Sequence, residues 1–241
     1  CVLNQDHMQL IIMQKEKFMS NILISGCGIS WSGQTKPTWV KVLKLCKLPI
    51  IDLGGPAVYN EYILNKLIKH LLQHQNVSHV ICQLTSTGKL DVEVNALRLK
   101  DMVETDPFRN FVHDGVWPSS ISELHPAKQS YYKWLYSKNI DIDNTLIKIF
   151  ALHKICKERN IPCLFLQGYQ IDWPENNVLN QVDIDLDFVI EDFYKESDFY
   201  NLHDHDNNTV PCKEFQKHFA FMLNDEWLKY DLDQYYNKFA W

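Results

Sequence analysis

Apolar residues along the chain fall into two kinds of run. Short blocks too short for a helix alternate with longer stretches in which apolar positions recur every three or four residues. The first short block, residues 21–25, breaks into Gly26-Cys27-Gly28 and a polar, small-residue segment. It reads as a buried strand ending in a tight turn. Residues 35–47 form a short helix with Trp39, Val40, Val42, Leu43 and Leu45 inward and Pro37 in its first turn. A second strand at 48–53 is closed by Gly54-Gly55-Pro56. An amphipathic helix at 60–74 follows, burying Ile63, Leu64, Leu67, Ile68, Leu71 and Leu72. Residues 78–84 make a third strand, ending in Thr85-Ser86-Thr87-Gly88. Three strands separated by helices give two βαβ crossovers and a parallel sheet.

The pattern loosens between residues 89 and 144, where Trp117, Tyr131, Tyr132 and Trp134 stand among polar residues. An insertion of that length after a strand's carboxyl end is expected to form a lid or a wall of a site. Asp143 or Asn144 is expected to cap a helix over 145–159, with Ile147, Ile149, Phe150, Leu152, Ile155 and Cys156 apolar. A fourth strand follows at 161–167. Residues 172–208 read as acidic and irregular, with Asp183, Asp185 and Asp187 alternating like an edge strand that turns its charges outward. A last helix runs over 211–229, with Phe215, Phe219, Met222 and Leu223 inward. The expected organisation is one domain over 19–241, preceded by an extension, 1–18, that the fold does not need. Its fold class is a three-layer α/β/α sandwich with a mostly parallel sheet of four or five strands. Ligands of such sheets sit outside the carboxyl ends of the strands, so the turn at Gly26 is the first place to seek a site.

Composition narrows the function. Of 241 residues, 46% are hydrophobic and 22% charged, and the net charge is −6 without a basic stripe. Nucleic acid is therefore not an expected partner. No run of apolar residues is long enough to cross a membrane, and residues 1–18 lack the pattern of a signal peptide. Seven cysteines include no CxxC pair, which argues for reduced, packed thiols, against a zinc site and for a cytoplasmic location. No cofactor signature is present in the sequence.

The strand-end motifs, taken in order, resemble the SGNH or GDSL-type hydrolase family, especially divergent members found in bacterial viruses. Gly26-Cys27-Gly28-Ile29-Ser30-Trp31 stands where the first block of that family would lie. Asp52-Leu53-Gly54-Gly55, with Asn60 opening the next helix, is similar to the second. Gln83-Leu84-Thr85-Ser86 is similar to the third, and Asn207-Asn208-Thr209-Val210-Pro211 to the last. The resemblance covers about residues 19–230 and implies a flavodoxin-like sheet and ester hydrolysis. It also implies a pocket or oxyanion region built from Gly26, Cys27, Gly28, Gly54, Gly55, Asn60 and Thr85. The same alignment sets the family's serine on Gly28, its catalytic histidine on Val210, the partnering aspartate on Asn207 and the oxyanion asparagine on Thr85. Since a serine hydrolase needs an alcohol, a base and a group that orients the base, the family mechanism cannot run unchanged.

Neighbouring residues offer a substitute. Ser30 supplies a hydroxyl two residues beyond Gly28, and His203-Asp204-His205-Asp206 supplies imidazoles with carboxylates beside them. Ser30, His205 and Asp204 are the candidate catalytic set. Each has a plainer reading: Ser30 as a loop or capping residue, the His–Asp cluster as a solvated acidic loop or a cation site, Cys27 as packing. His125 reads as a surface histidine, and Trp117, Trp134 and Trp173 as either a sugar platform or lid packing. Two functions stay open. One is hydrolysis of an ester, such as an acetylated carbohydrate, by the rearranged set; the other is non-catalytic binding of a ligand or protein partner. A viral structural or accessory role is a third class.

Overall fold

The computed structural model describes residues 20–27, 30, 38–55, 58–85, 137–168, 170–174, 184–197, 213–232 and 235. Four parallel strands, β1 (Asn21–Ser25), β2 (Ile50–Asp52), β3 (Val77–Leu84) and β4 (Cys163–Gln167), lie in the order β2-β1-β3-β4. The chain steps outward from β1 to β2, then returns across β1 to β3, so the direction of winding reverses between β1 and β3. In an open α/β sheet that reversal opens a crevice at the carboxyl ends of the strands.

Alternating side chains feed two cores. Ile22, Ile24, Ile81 and Leu166 face α1 (Trp39–Leu45), α4 (Ile190–Glu196) and α5 (Lys213–Leu223). Leu23, Val80, Cys82, Leu84 and Phe165 face α2 (Asn60–Gln73) and α3 (Lys138–Glu158). Both faces of the sheet are thus covered, which explains strands that are apolar on successive residues. Left-handed residues turn the chain after helices: Lys47 beyond α1 and Asn160 beyond α3. No helix among the described residues is long and apolar enough to cross a membrane.

Several boundaries differ from the sequence reading. α3 begins at Lys138, and its cap is Ser137, whose Oγ accepts from Ile140 N at 3.5 Å. Asp143 and Asn144 lie inside the helix. Burial of Ile142, Thr145 and Leu146 outweighs the capping signal of those two residues. Leu45, Leu72 and Ile147, expected on buried faces, are 46%, 72% and 61% exposed, because each lies beyond the flank of its helix's apolar stripe.

The acidic stretch contains a helix, α4. The described part of the alternating run, residues 184–188, is irregular and forms no ladder. Asp185 Oδ1 accepts from Asp187 N at 2.8 Å, a local turn that competes with pairing. Val189 makes a parallel bridge to Gln167, so among the described residues the sheet holds four strands and the trace of a fifth. The last helix is α5, which widens into a π-type turn, Asn224–Leu228, ended by left-handed Lys229. Asn224 holds that turn by donating to Tyr230 O at 2.8 Å and accepting from Tyr230 N at 3.1 Å.

Candidate functional site at the sheet's carboxyl edge

The loops after β1, β2 and β3 meet where the winding reverses. Leu53 N donates to Ile24 O at 2.8 Å and Gly55 N to Gly26 O at 3.1 Å, so the loop after β2 continues pairing beyond the strand. Gly54 permits this approach, since a Cβ there would stand 2.7 Å from Gly26 O. Asp52 fixes the same turn by accepting from Gly54 N at 2.9 Å, while its other oxygen lies 3.7 Å from Lys44 Nζ.

Ser30 is held at both ends. Its backbone N–H and its Oγ both donate to Cys27 O, at 2.9 and 3.2 Å. Its own carbonyl accepts from Thr38 Oγ1 at 3.0 Å, and Thr38 in turn caps α1. The Ser30 side chain lies over Gly26, so close that a Cβ on Gly26 would be 2.1 Å from Oγ. With 1% of its surface exposed, Ser30 is a closing residue of the turn. Its hydroxyl proton is already engaged by a backbone carbonyl.

β3 contributes Gln83 and Thr85. Gln83 is fully buried; its Nε2 donates to Cys27 Sγ at 3.2 Å, and its Oε1 has no hydrogen-bond partner among the described residues. Thr85 is clasped by Asn60, the first residue of α2: Thr85 N donates to Asn60 Oδ1 at 2.7 Å, and Asn60 Nδ2 donates to Thr85 O at 2.9 Å. That amide-to-backbone pair fastens the start of α2 to the end of β3. It also engages the Thr85 N–H, so this group is not available to an oxyanion.

Of the residues singled out in the sequence, the structure gathers Gly26, Cys27, Ser30, Gly54, Gly55, Asn60 and Thr85 along one edge of the sheet. Gly28, Asp204, His205, Asn207 and Val210 lie outside the described residues. So do His125, His203, Asp206, Trp117 and Trp134. Trp173 is described and packs at the edge of the α2–α3 core rather than standing free as a platform. His218 is exposed on α5. Sequence reasoning missed the supporting roles of Gln83, Asp52 and Thr38. For Gln83 the signal was present: one amide inside the apolar run Val80-Ile81-Cys82-Gln83-Leu84. Among the described residues no three His, Cys, Asp or Glu side chains converge as a metal site.

The fold and this edge define an α/β protein with a topological switch point between β1 and β3. No family model matches the chain, and no curated protein sequence matches it.

Proposed function

We propose that the protein is an SGNH-like α/β protein that binds a small ligand, an acetylated carbohydrate or similar ester, without the family's serine chemistry. The observation that carries this reading is the state of Ser30. It is the hydroxyl nearest the family's serine position at Gly28, yet it is buried and donates to Cys27 O. A nucleophile needs its oxygen free and its proton directed to a base. Placement at the topological switch point, and a buried Gln83 Oε1 without a hydrogen-bond partner among the described residues, support binding at this edge. Free thiols at Cys27, Cys46, Cys82 and Cys156, all buried, agree with work in the cytoplasm.

The test combines turnover with binding. Short-chain nitrophenyl esters are offered to the wild type, Ser30→Ala and His205→Ala, and acetylated sugars are screened by thermal shift. The expected result is no hydrolysis that depends on either side chain, with a Tm rise on ligand. At a ligand concentration of about 100 Kd, linkage supplies about 2.7 kcal/mol, or roughly 5–10 °C for a chain of this length. Hydrolysis abolished by both substitutions would instead establish the rearranged set of Ser30, His205 and Asp204.

A further inference from the structure

At the far end of α2, away from the sheet's carboxyl edge, two imidazoles stand together on one helical turn. His70 and His74 are four residues apart, so they project from one face of the helix. Their ring centroids are 4.2 Å apart, with the ring planes 33° from parallel. His74 is exposed and His70 partly so. We propose that His70 and His74 form a two-imidazole chelate for a divalent copper or nickel ion, with water completing the coordination.

The helical spacing allows a chelate once the rings turn. With metal–nitrogen bonds of about 2.0–2.1 Å, two neighbouring nitrogens of a tetragonal ion lie about 2.9 Å apart. The rings are tilted with centroids 4.2 Å apart, so χ rotations of both side chains bring one nitrogen of each toward a shared ion. Nitrogen ligands in a tetragonal arrangement select copper or nickel, whereas a structural zinc site asks for four protein ligands. Two histidines at this spacing on one helix face are a recurrent metal-binding pair.

Three neighbouring features bear on the site. First, His70 and His74 close the carboxyl end of the helix, where the partial negative charge of the last carbonyls favours a cation. Second, the His74 N–H donates to His70 O at 2.9 Å, so the backbone between the two imidazoles is held in a closed turn. Third, Arg159 fixes the backbone of this turn by donating to Leu71 O and to His74 O. Its positive charge opposes the ion, but its nitrogens are committed to those carbonyls. Lys66, one turn earlier on the same face, lies over the Tyr62 ring with Nζ 5.2 Å from the centroid.

The test titrates Cu²⁺ into the ¹⁵N-labelled full chain and follows paramagnetic loss of amide signals, with affinity measured by calorimetry. Wild-type signals of residues 70–74 are expected to fade at the lowest copper levels. His70→Ala and His74→Ala are each expected to weaken that binding roughly 100-fold, since either removes the chelate. Exposure of the pair lets both variants fold, which far-UV circular dichroism checks. A His203→Ala/His205→Ala variant is expected to keep the fading at 70–74. Unchanged affinity in both single variants overturns the proposal, as does loss in only one of them, which would mean a single-imidazole contact.

Discussion

A methyl group on Gly54 would collide with backbone, because its nearest neighbours are Gly26 O at 2.7 Å, Asp52 Oδ1 at 3.0 Å and Gly26 N at 3.2 Å. Gly54→Ala is therefore expected to cost about 1–3 kcal/mol in urea unfolding, since neither loop can yield without breaking its pairing. Gly55→Ala is expected to cost less. Among the described residues its Cβ would meet Val58 Cγ1, at 2.8 Å, and that side chain can rotate. Asn60 is a different case. Asn60→Ala strands the buried N–H and C=O of Thr85 together. A loss of about 2–4 kcal/mol is expected by the same measurement, with α2 detached from β3 as the structural consequence. Single residues of this kind were readable as motif positions, but not their partners. Gly54 announces a tight approach; nothing in the sequence says that the approach is to Gly26. Likewise Ser30 reads equally as nucleophile or loop closure, and only its bond to Cys27 O separates the two.

Helices α1 and α5 show how elements far apart in sequence depend on each other. Trp39, the first residue of α1, meets Phe219 edge-on at 5.7 Å, and its backbone N–H donates to Gln216 Oε1 at 2.8 Å. Phe215 and Phe219 stack at 5.9 Å, and Phe188 and Phe193 press on Phe219 from the segment after β4. Phe219→Ala is expected to lose about 3–5 kcal/mol, read as a lower urea midpoint, because both helices and the segment share that ring. Element type was legible wherever a period ran long enough, as in α2 and β3. It was not legible in α4, which is seven residues long and sits among acids. Ile190, Phe193 and Tyr194 have helical spacing, but what holds them is the aromatic cluster on α5. Tertiary packing decides so short a helix, and packing partners are not written beside it in the chain.

Among the described residues, Cys27, Cys46, Cys82 and Cys156 are buried and Cys163 is half-buried. Burial pushes Cys46 up from 9.0 to about 11 and raises Cys82 further. Cys163 is raised by its hydrogen bond with Cys156 and by burial. The unfolded chain releases these protons near pH 9 while the folded chain retains them, so the stability they contribute is complete below pH 9 and falls above it. The expected slope is about 1.4 kcal/mol per pH unit for each thiol still protonated in the fold. Urea midpoints from pH 8 to 10.5 under reducing conditions should drop more steeply in the wild type than in Cys82→Ala.

The two faces of the sheet also close at different moments of the chain's own synthesis. Most of what covers Leu23, Val80 and Phe165 precedes β4, with Ile171, Ile184 and Leu186 added after it, whereas the cluster of Ile22, Ile24, Ile81 and Trp39 is completed only by α5. About 56 residues separate Gln167 from Leu223, which at roughly 5–20 residues per second is about 3–11 s of ribosome time. For that interval the face that already carries α1 lacks the aromatic rings of α5 that complete it, so the two sides of the sheet are finished one after the other.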